Sequence, residues 1–325
     1  MPRVLMLRDD TPPARIEMLD DNELPQLGVT LDIDFSTLNY KDALAITGTG
    51  KIVRNFPMVG GIDAVGTVAH SNDTRYAAGQ RVIVTGWGVG ERYWGGFAER
   101  QRFDPDWLVP CPDQLSSRQA MLLGTAGFTA MLALIRLEKA GLTPSAGPIV
   151  VTGATGGVGC WAVQLLAQQG FEVHAVTGKP DKAQWLKTLG AHTLIDRHEF
   201  IAKVRALDKA QWAGGVDNVG SNTLAALLSR TQDNGCVAAV GLAGGMDLPT
   251  SVAPFILRGV SLLGVNSVTV PYAPRLEAWQ RLATLPEAMF EAIETETIGL
   301  DALPDKARAM VDGKTHGKVL IDPHL

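Results

Sequence analysis

The sequence predicts an α/β protein, a doubly wound parallel sheet joined to a β-rich domain. Three observations carry that expectation. The first third is dense in short alternating strands and turns. A later stretch alternates apolar strands with helices. A glycine-rich turn, Val151-Thr152-Gly153-Ala154-Thr155-Gly156-Gly157-Val158-Gly159, joins one such strand to one such helix. The 325 residues leave room for two domains at roughly 100–200 residues each.

The elements follow in order. Over residues 29–35, Val29, Leu31, Ile33 and Phe35 share one face and Thr30, Asp32 and Asp34 the other, the alternation of a half-buried strand. Residues 66–69 and 81–85 read as further strands. Glycines punctuate 86–96, which reads as a mobile loop. The pattern changes near residue 120. Ser116-Ser117-Arg118-Gln119 has a serine and, three residues on, the glutamine of a capping box. It leads into a buried helix or helix pair over 124–137. Residues 149–152 form a short apolar strand. The helix over 158–169 has Ala162, Leu165 and Leu166 on its apolar face and stops at Gly170. Then come a strand at 172–176, a helix at 181–189 ended by Gly190, and strands at 193–195, 216–219, 236–240 and 260–265. Strands alternating with helices imply a parallel sheet covered on both faces. From about 271 the pattern is helical until a final strand at 317–321, and no internal repeat is visible.

Composition narrows the class. Hydrophobic residues are 46% and charged residues 19%, an ordinary balance for a globular enzyme. A net charge of −5 and a pI near 5.7 argue against a nucleic-acid partner, which demands a basic face. Cys111, Cys160 and Cys236 are odd in number and far apart, so neither a disulfide framework nor a CxxC metal site is readable. That usage suits a reducing cytoplasm. The first residues show no signal peptide, and no uninterrupted apolar run approaches 18 residues, so no membrane span is expected.

The glycine turn is the strongest chemical signal. It fits the GxGxxG fingerprint with Ala154 in the first position. Gly156 lets the backbone approach a pyrophosphate, Gly159 lets the helix pack on the strand, and amides of Thr155, Gly157 and Val158 stand at the helix start, where its dipole favours phosphate. The end of the next strand selects the cofactor. A dinucleotide without a 2′-phosphate is held there by Asp or Glu. This chain has Thr177-Gly178-Lys179 instead, and Arg197 after the third strand, which bond and neutralise a 2′-phosphate. The expected cofactor is NADPH. The competing reading leaves Lys179 and Arg197 as solvated surface charges.

Several stretches resemble one family. Asn39-Tyr40-Lys41-Asp42, Gly61-Ile62-Asp63-Ala64-Val65-Gly66, Gly124-Thr125-Ala126-Gly127-Phe128-Thr129-Ala130-Met131 and the glycine turn are similar to the quinone oxidoreductase branch of the medium-chain dehydrogenases/reductases. Residues 38–47, Arg54-Asn55-Phe56-Pro57 and Ile256-Leu257-Arg258-Gly259-Val260 resemble its NADPH-dependent acryloyl-CoA reductases. The resemblance spans essentially the whole chain. It implies a GroES-like catalytic domain built from residues 1–123 and 267–325 around a Rossmann domain at 124–266. It also implies a homodimer through Rossmann edge strands. Zinc-dependent relatives carry Cys where Asn39 stands and His-Glu where Ile62 and Asp63 stand, and the four-cysteine lobe is absent. No tetrahedral set of thiolates and imidazoles is left.

The expected reaction is hydride addition from NADPH to the β-carbon of an enoyl thioester, with donors stabilising the enolate. Asn39 and Tyr40 are candidate catalytic residues, Asn39 donating to the oxyanion or the ribose, Tyr40 stacking on or bonding to the cofactor. Asp42 orients Lys41 or the backbone, or simply caps a helix. Further cofactor contacts are expected at Asn218, Gly241, Leu242, Asn266 and Lys318. Lys51 and Arg54 are expected at the CoA phosphates. His316 and Cys111 read as structural. Trp87, Tyr93 and Trp94 either line a substrate mouth or cover a hydrophobic edge. Three functions remain open: an enoyl-CoA reductase, a quinone or enone reductase, and a non-catalytic NADPH-binding protein.

Overall fold

The apolar run at 149–152 is the strand Ile149–Thr152, central to a six-stranded sheet in a computed structural model that describes residues 1–11 and 13–325. In chain order the strands are Ile149–Thr152, Val173–Thr177, Ala191–Asp196, Trp212–Asp217, Thr231–Ala239 and Ser261–Gly264. In space they run third, second, first, fourth, fifth, sixth, all parallel. The order reverses between Ile149–Thr152 and Trp212–Asp217, and ligands of such sheets bind outside the carboxyl ends at that reversal. This sheet belongs to a unit comprising Ala126–Ser267 and Leu285–Ile293. The second segment is an excursion that the apolar pattern does not announce. It is fastened by Gln164 Nε2 to Met289 O (3.1 Å), Trp185 Nε1 to Ala292 O (2.8 Å) and an edge-on contact of Trp161 with Phe290.

Two elements differ from expectation for local reasons. The strand expected at 216–219 begins at Trp212, because Gly214 and Gly215 hide its first half. Gly214 is where strands press together: a Cβ there would come within 2.3 Å of Cys236 O. The helix expected at 181–189 starts with a 3-10 turn, Pro180–Lys182, and continues as Ala183–Thr188.

The other unit comprises Met1–Thr125, Val268–Thr284 and Glu294–Leu325. Its larger sheet orders Thr295–Ile298, Lys318–Ile321, Val29–Leu38, Asp63–Ser71, Arg81–Thr85 and Leu108–Pro110, with Arg100–Phe103 also on Val29–Leu38. Val29, Leu31 and Ile33 are fully buried, as their alternation requires. The alternation ends at a register shift between Ile33 and Phe35, after which Ser36, Thr37 and Leu38 are all buried. The helix Ser117–Lys139 starts with the reciprocal pair Gln119 N to Ser116 Oγ (3.1 Å) and Ser116 N to Gln119 Oε1 (2.8 Å). It breaks at Gly124 (φ 49°, ψ −155°).

Among the described residues this helix is long and apolar enough to cross a membrane, which the run-length reading missed; 89% of that stretch is buried inside the protein. The loop over 86–96, expected to be mobile, is tied down instead. Gly95 N donates to Val59 O, Gly96 N to Gly61 O and Trp87 N to Val268 O.

Candidate active site

Where the bulge buries Ser36 to Leu38, the strand delivers Asn39 as the N-cap of the helix Tyr40–Thr47. Its side chain joins two carboxylates. Asn39 Nδ2 donates to Asp63 Oδ2 (2.9 Å), Asp42 Oδ2 (3.2 Å) and Thr37 O (3.3 Å). Asp42, at the third helical position, also accepts from Asn39 N and Ile62 N, each at 2.9 Å. Asp63 accepts from Thr125 N (2.9 Å) and Thr125 Oγ1 (2.5 Å). Gly124 makes this approach possible, since a Cβ there would stand 2.8 Å from Asp63 Oδ2.

Both carboxyls are buried, and burial pushes them upward. Asp42 rises to about 7, through burial first and with repulsion from Asp63 adding to it, against the bonds from Asn39 and Ile62. Asp63 rises through burial, opposed by its Thr125 bonds and the charge of Lys318.

This geometry bears on three of the expected residues. All the neighbours of Nδ2 are acceptors, so its hydrogens are committed and Asn39 presents Oδ1, an acceptor, to any ligand. Asn39 is therefore not an oxyanion donor. Asp42 orients the backbone and closes the capping box of the helix, as two of its readings expect, whereas Lys41 pairs with Glu91 at 2.5 Å. Lys318 is 3% exposed, and its charge opposes the upward push that burial gives Asp63. Asp63 itself had no role in the sequence reading; its partners lie 24 and 62 positions away, beyond any motif. Tyr40 is exposed on the same turn, and Lys51 and Arg54 are exposed just beyond the helix. The donor set does not fit zinc. It holds no thiolate or imidazole, and its oxygens already accept N–H and O–H bonds.

In the other unit the fingerprint is a tight turn. Gly153 has φ 58°, Gly156 N donates to Gly153 O (3.0 Å), and Ala154 N to Val176 O (3.1 Å). A Cβ on Gly159 would lie 2.2 Å from Gly153 O, so glycine is required as Gly157–Gln168 begins. Thr155 and Thr177 are buried with hydroxyls 3.4 Å apart, and Thr177 Oγ1 accepts from Lys179 N (3.1 Å). Arg197 crosses Gly178: a Cβ on Gly178 would meet Arg197 Nε at 2.6 Å.

The Lys179 pKa is lowered by burial, with Lys182 and Arg197 repelling it and Asp181 opposing that. Concentrated positive charge beside a phosphate-binding turn fits an anion. Between the strand ends, Asp217 accepts from Thr152 Oγ1 and Gly220 N, each at 2.7 Å. Asn218 Nδ2 donates to Thr152 O (2.7 Å), while its Oδ1 is buried with no partner among the described residues. Gly241 follows, pressed on the Asn218 carbonyl, with Leu242 and Asn266 exposed beyond it. These residues fit a nicotinamide dinucleotide phosphate.

Other sequence candidates have structural explanations. His316 bonds Glu294, and Cys111 is buried. Tyr93 packs on Trp107, and Trp94 Nε1 donates to Pro57 O while its ring joins the core. At the amino ends of the parallel strands, His174 Nε2 and His192 Nδ1 approach Glu172 Oε1 at 2.9 and 3.4 Å. Trp212 Nε1 donates to His174 Nδ1 (3.0 Å), so neutral His174 carries its proton on Nε2, aimed at Glu172. A ligating imidazole needs the reverse arrangement, so this trio is a hydrogen-bonded set, not a metal centre.

Fold and site together define a two-domain nicotinamide-dependent reductase. Residues 26–113 match the alcohol dehydrogenase GroES-like domain, and 157–284 the zinc-binding dehydrogenase family. The chain is 52% identical to the Escherichia coli (strain K12) protein "Probable acrylyl-CoA reductase AcuI", over 95% of each chain. It is 49% identical to acrylyl-CoA reductase AcuI of Ruegeria pomeroyi, over 95% of this chain and 94% of that one. The crystal structure of the yhdH oxidoreductase from Salmonella enterica in complex with NADP superposes with a TM-score of 0.96 at 50% identity, covering 98% of this chain and 99% of that one. The chain belongs to the medium-chain dehydrogenase/reductase superfamily, in the quinone oxidoreductase branch and its acryloyl-CoA reductase subfamily.

Proposed function

We propose that the protein is a zinc-independent, NADPH-dependent reductase that adds hydride to the activated double bond of a short enoyl-CoA, converting acryloyl-CoA to propanoyl-CoA. The observation that carries this reading is the Asn39–Asp42–Asp63–Thr125 cluster, which offers hydrogen bonds where metal-dependent relatives need soft ligands. Without a Lewis acid, alcohol oxidation loses its activator, and substrates already polarised for hydride addition remain. Bound NADPH would supply the hydride to the β-carbon, and a proton from solvent or an acid at the α-carbon completes propanoyl-CoA.

The chain's own residues do the rest. Gly156 to Gly159 seat the pyrophosphate; Thr177, Lys179 and Arg197 hold the 2′-phosphate. Asn39 Oδ1, aimed by the two carboxylates, accepts from a ribose hydroxyl. Tyr40 is then the hydroxyl donor on that turn available to the developing enolate oxygen. Lys51 and Arg54, both exposed, meet the CoA phosphates. The protein acts in the cytoplasm, where its three buried free cysteines stay reduced.

The test is NADPH oxidation with acryloyl-CoA, crotonyl-CoA and naphthoquinones. Saturable turnover of acryloyl-CoA is expected. Turnover of quinones without thioesters would replace this reading with a quinone reductase, and NADPH binding without turnover of either would make it a binding protein.

A further inference from the structure

Arg275 is a buried cation to which the reading above gives no work. It lies in the helix Tyr272–Leu282 and is 1% exposed. Its Nη1 donates to Thr85 O (2.7 Å) and Thr85 Oγ1 (2.9 Å), and its Nη2 to Val268 O (3.2 Å). Its guanidinium carbon stands 4.8 Å from the centre of the Trp87 ring. Val268 O also accepts from Trp87 N (2.9 Å), so one carbonyl and one guanidinium grip Trp87 from two sides.

Trp87 needs such a grip. Its φ is +57°, between Gly86 at +79° and Gly88 at +83°. Glycine takes this left-handed conformation freely, whereas a side chain that branches into an indole is strained there. Such strain persists where surroundings over-determine it, and it gathers at functional sites. The brace also ends beside the polar cluster. Thr85 is the strand partner of Asp63; burial lowers the Arg275 pKa to about 10, and the charge of Asp63 opposes that.

We propose that Arg275 is a positioning residue that holds the Trp87 ring as the apolar wall limiting the acyl group beside the Asn39–Asp63 cluster, and so sets the preference for short acyl chains. This rests on the enoyl-thioester reading. A two-point guanidinium grip suits the task better than an ammonium, because it fixes the plane against which the ring lies. The wall acts by excluded volume: a ring held in place costs a longer acyl chain its fit, and a ring free to swing does not.

The experiment measures kcat/KM for acryloyl-CoA and crotonyl-CoA in wild type, Trp87→Ala, Arg275→Lys and the double variant. Trp87→Ala should raise the crotonyl-to-acryloyl ratio about tenfold, the worth of one methylene in a hydrophobic pocket. Arg275→Lys should shift it in the same direction, mainly through KM, and the double variant should add nothing further, because both act on one wall.

A brace that is merely structural would lower both substrates equally and leave the ratio unmoved, which overturns the proposal, as would additive shifts. If Arg275→Lys does not fold, Thr85→Val removes one of its acceptors and Trp87→Ala is read alone; an unchanged ratio in both overturns it. If wild type turns over no thioester, the enoyl-CoA reading falls by itself. The same ratio, taken with a short and a longer vinyl ketone, then decides the role of Arg275.

Discussion

An asparagine amide that donates to two carboxylates and a carbonyl is a fixed object, and its usefulness lies in the oxygen it leaves over. Fixing it requires burying Asp42 and Asp63, and that has a pH signature. Asp42 sits at about 7 in the folded chain against the ordinary 3.8 of a solvated aspartate. Between those values the folded state binds the proton that the unfolded state has lost. Its contribution to stability is therefore greatest in acid and declines as pH rises toward 7. Urea unfolding from pH 4.5 to 7.5 should show this decline in wild type and a flatter difference curve in Asp42→Asn; identical slopes would refute it.

The cations of the other unit make a separate prediction. Lys179→Ala and Arg197→Ala should each raise the Kd for NADPH about tenfold or more, since a charge-assisted phosphate contact is worth roughly 1.5–3 kcal/mol. NADH binding should be untouched. Equal losses for both cofactors by fluorescence titration would place these cations outside the 2′-phosphate site. The closeness of these residues was legible because two short segments bring them together. Asp63, Lys318 and Arg275 were not, because their partners come from remote segments that no local pattern joins.

At the scale of elements, glycine both revealed and concealed the structure. The turn over 153–159 announced itself because strand, glycines and helix are contiguous. The strand Trp212–Asp217 was half hidden because glycines that permit close strand packing read as breakers. The bulge after Ile33 was invisible, since the alternation before it gives no warning of three consecutive buried residues. Gly124 is the element on which the cluster depends. Gly124→Ala would place a Cβ 2.7 Å from Thr37 Cγ2 and 2.8 Å from Asp63 Oδ2, in a conformation that already costs a side-chain residue about 1–3 kcal/mol. A lower Tm with loss of turnover exceeding the unfolded fraction is expected. A variant as stable and active as wild type would show that Asp63 tolerates displacement.

For the molecule as a whole, a run of exposed apolar side chains asks for cover. Met246, Val252, Ile256 and Leu257 are all more than half exposed, in the unit whose sheet ends at the strand Ser261–Gly264. Open edges and apolar patches of this kind mark association surfaces. Our reading is a homodimer through this face. Sedimentation equilibrium should give twice the 34.7 kDa chain mass, and Ile256→Asp should return it to one. A monomeric wild type would end the proposal.

The pairing of Lys318–Ile321 with Val29–Leu38 also sets a timetable for biosynthesis. Thr37 waits for Val319, 282 positions later, and Asp63 waits for Lys318. At about 5–20 residues per second, a ribosome needs roughly 15 to 55 s to cover that distance. Throughout that interval the nascent chain carries Asp63 without the counter-charge of Lys318. The sheet between Ile149 and Gly264 is by then wholly translated. The Asn39–Asp63 cluster thus gains Lys318 only after every strand of that sheet has been synthesised.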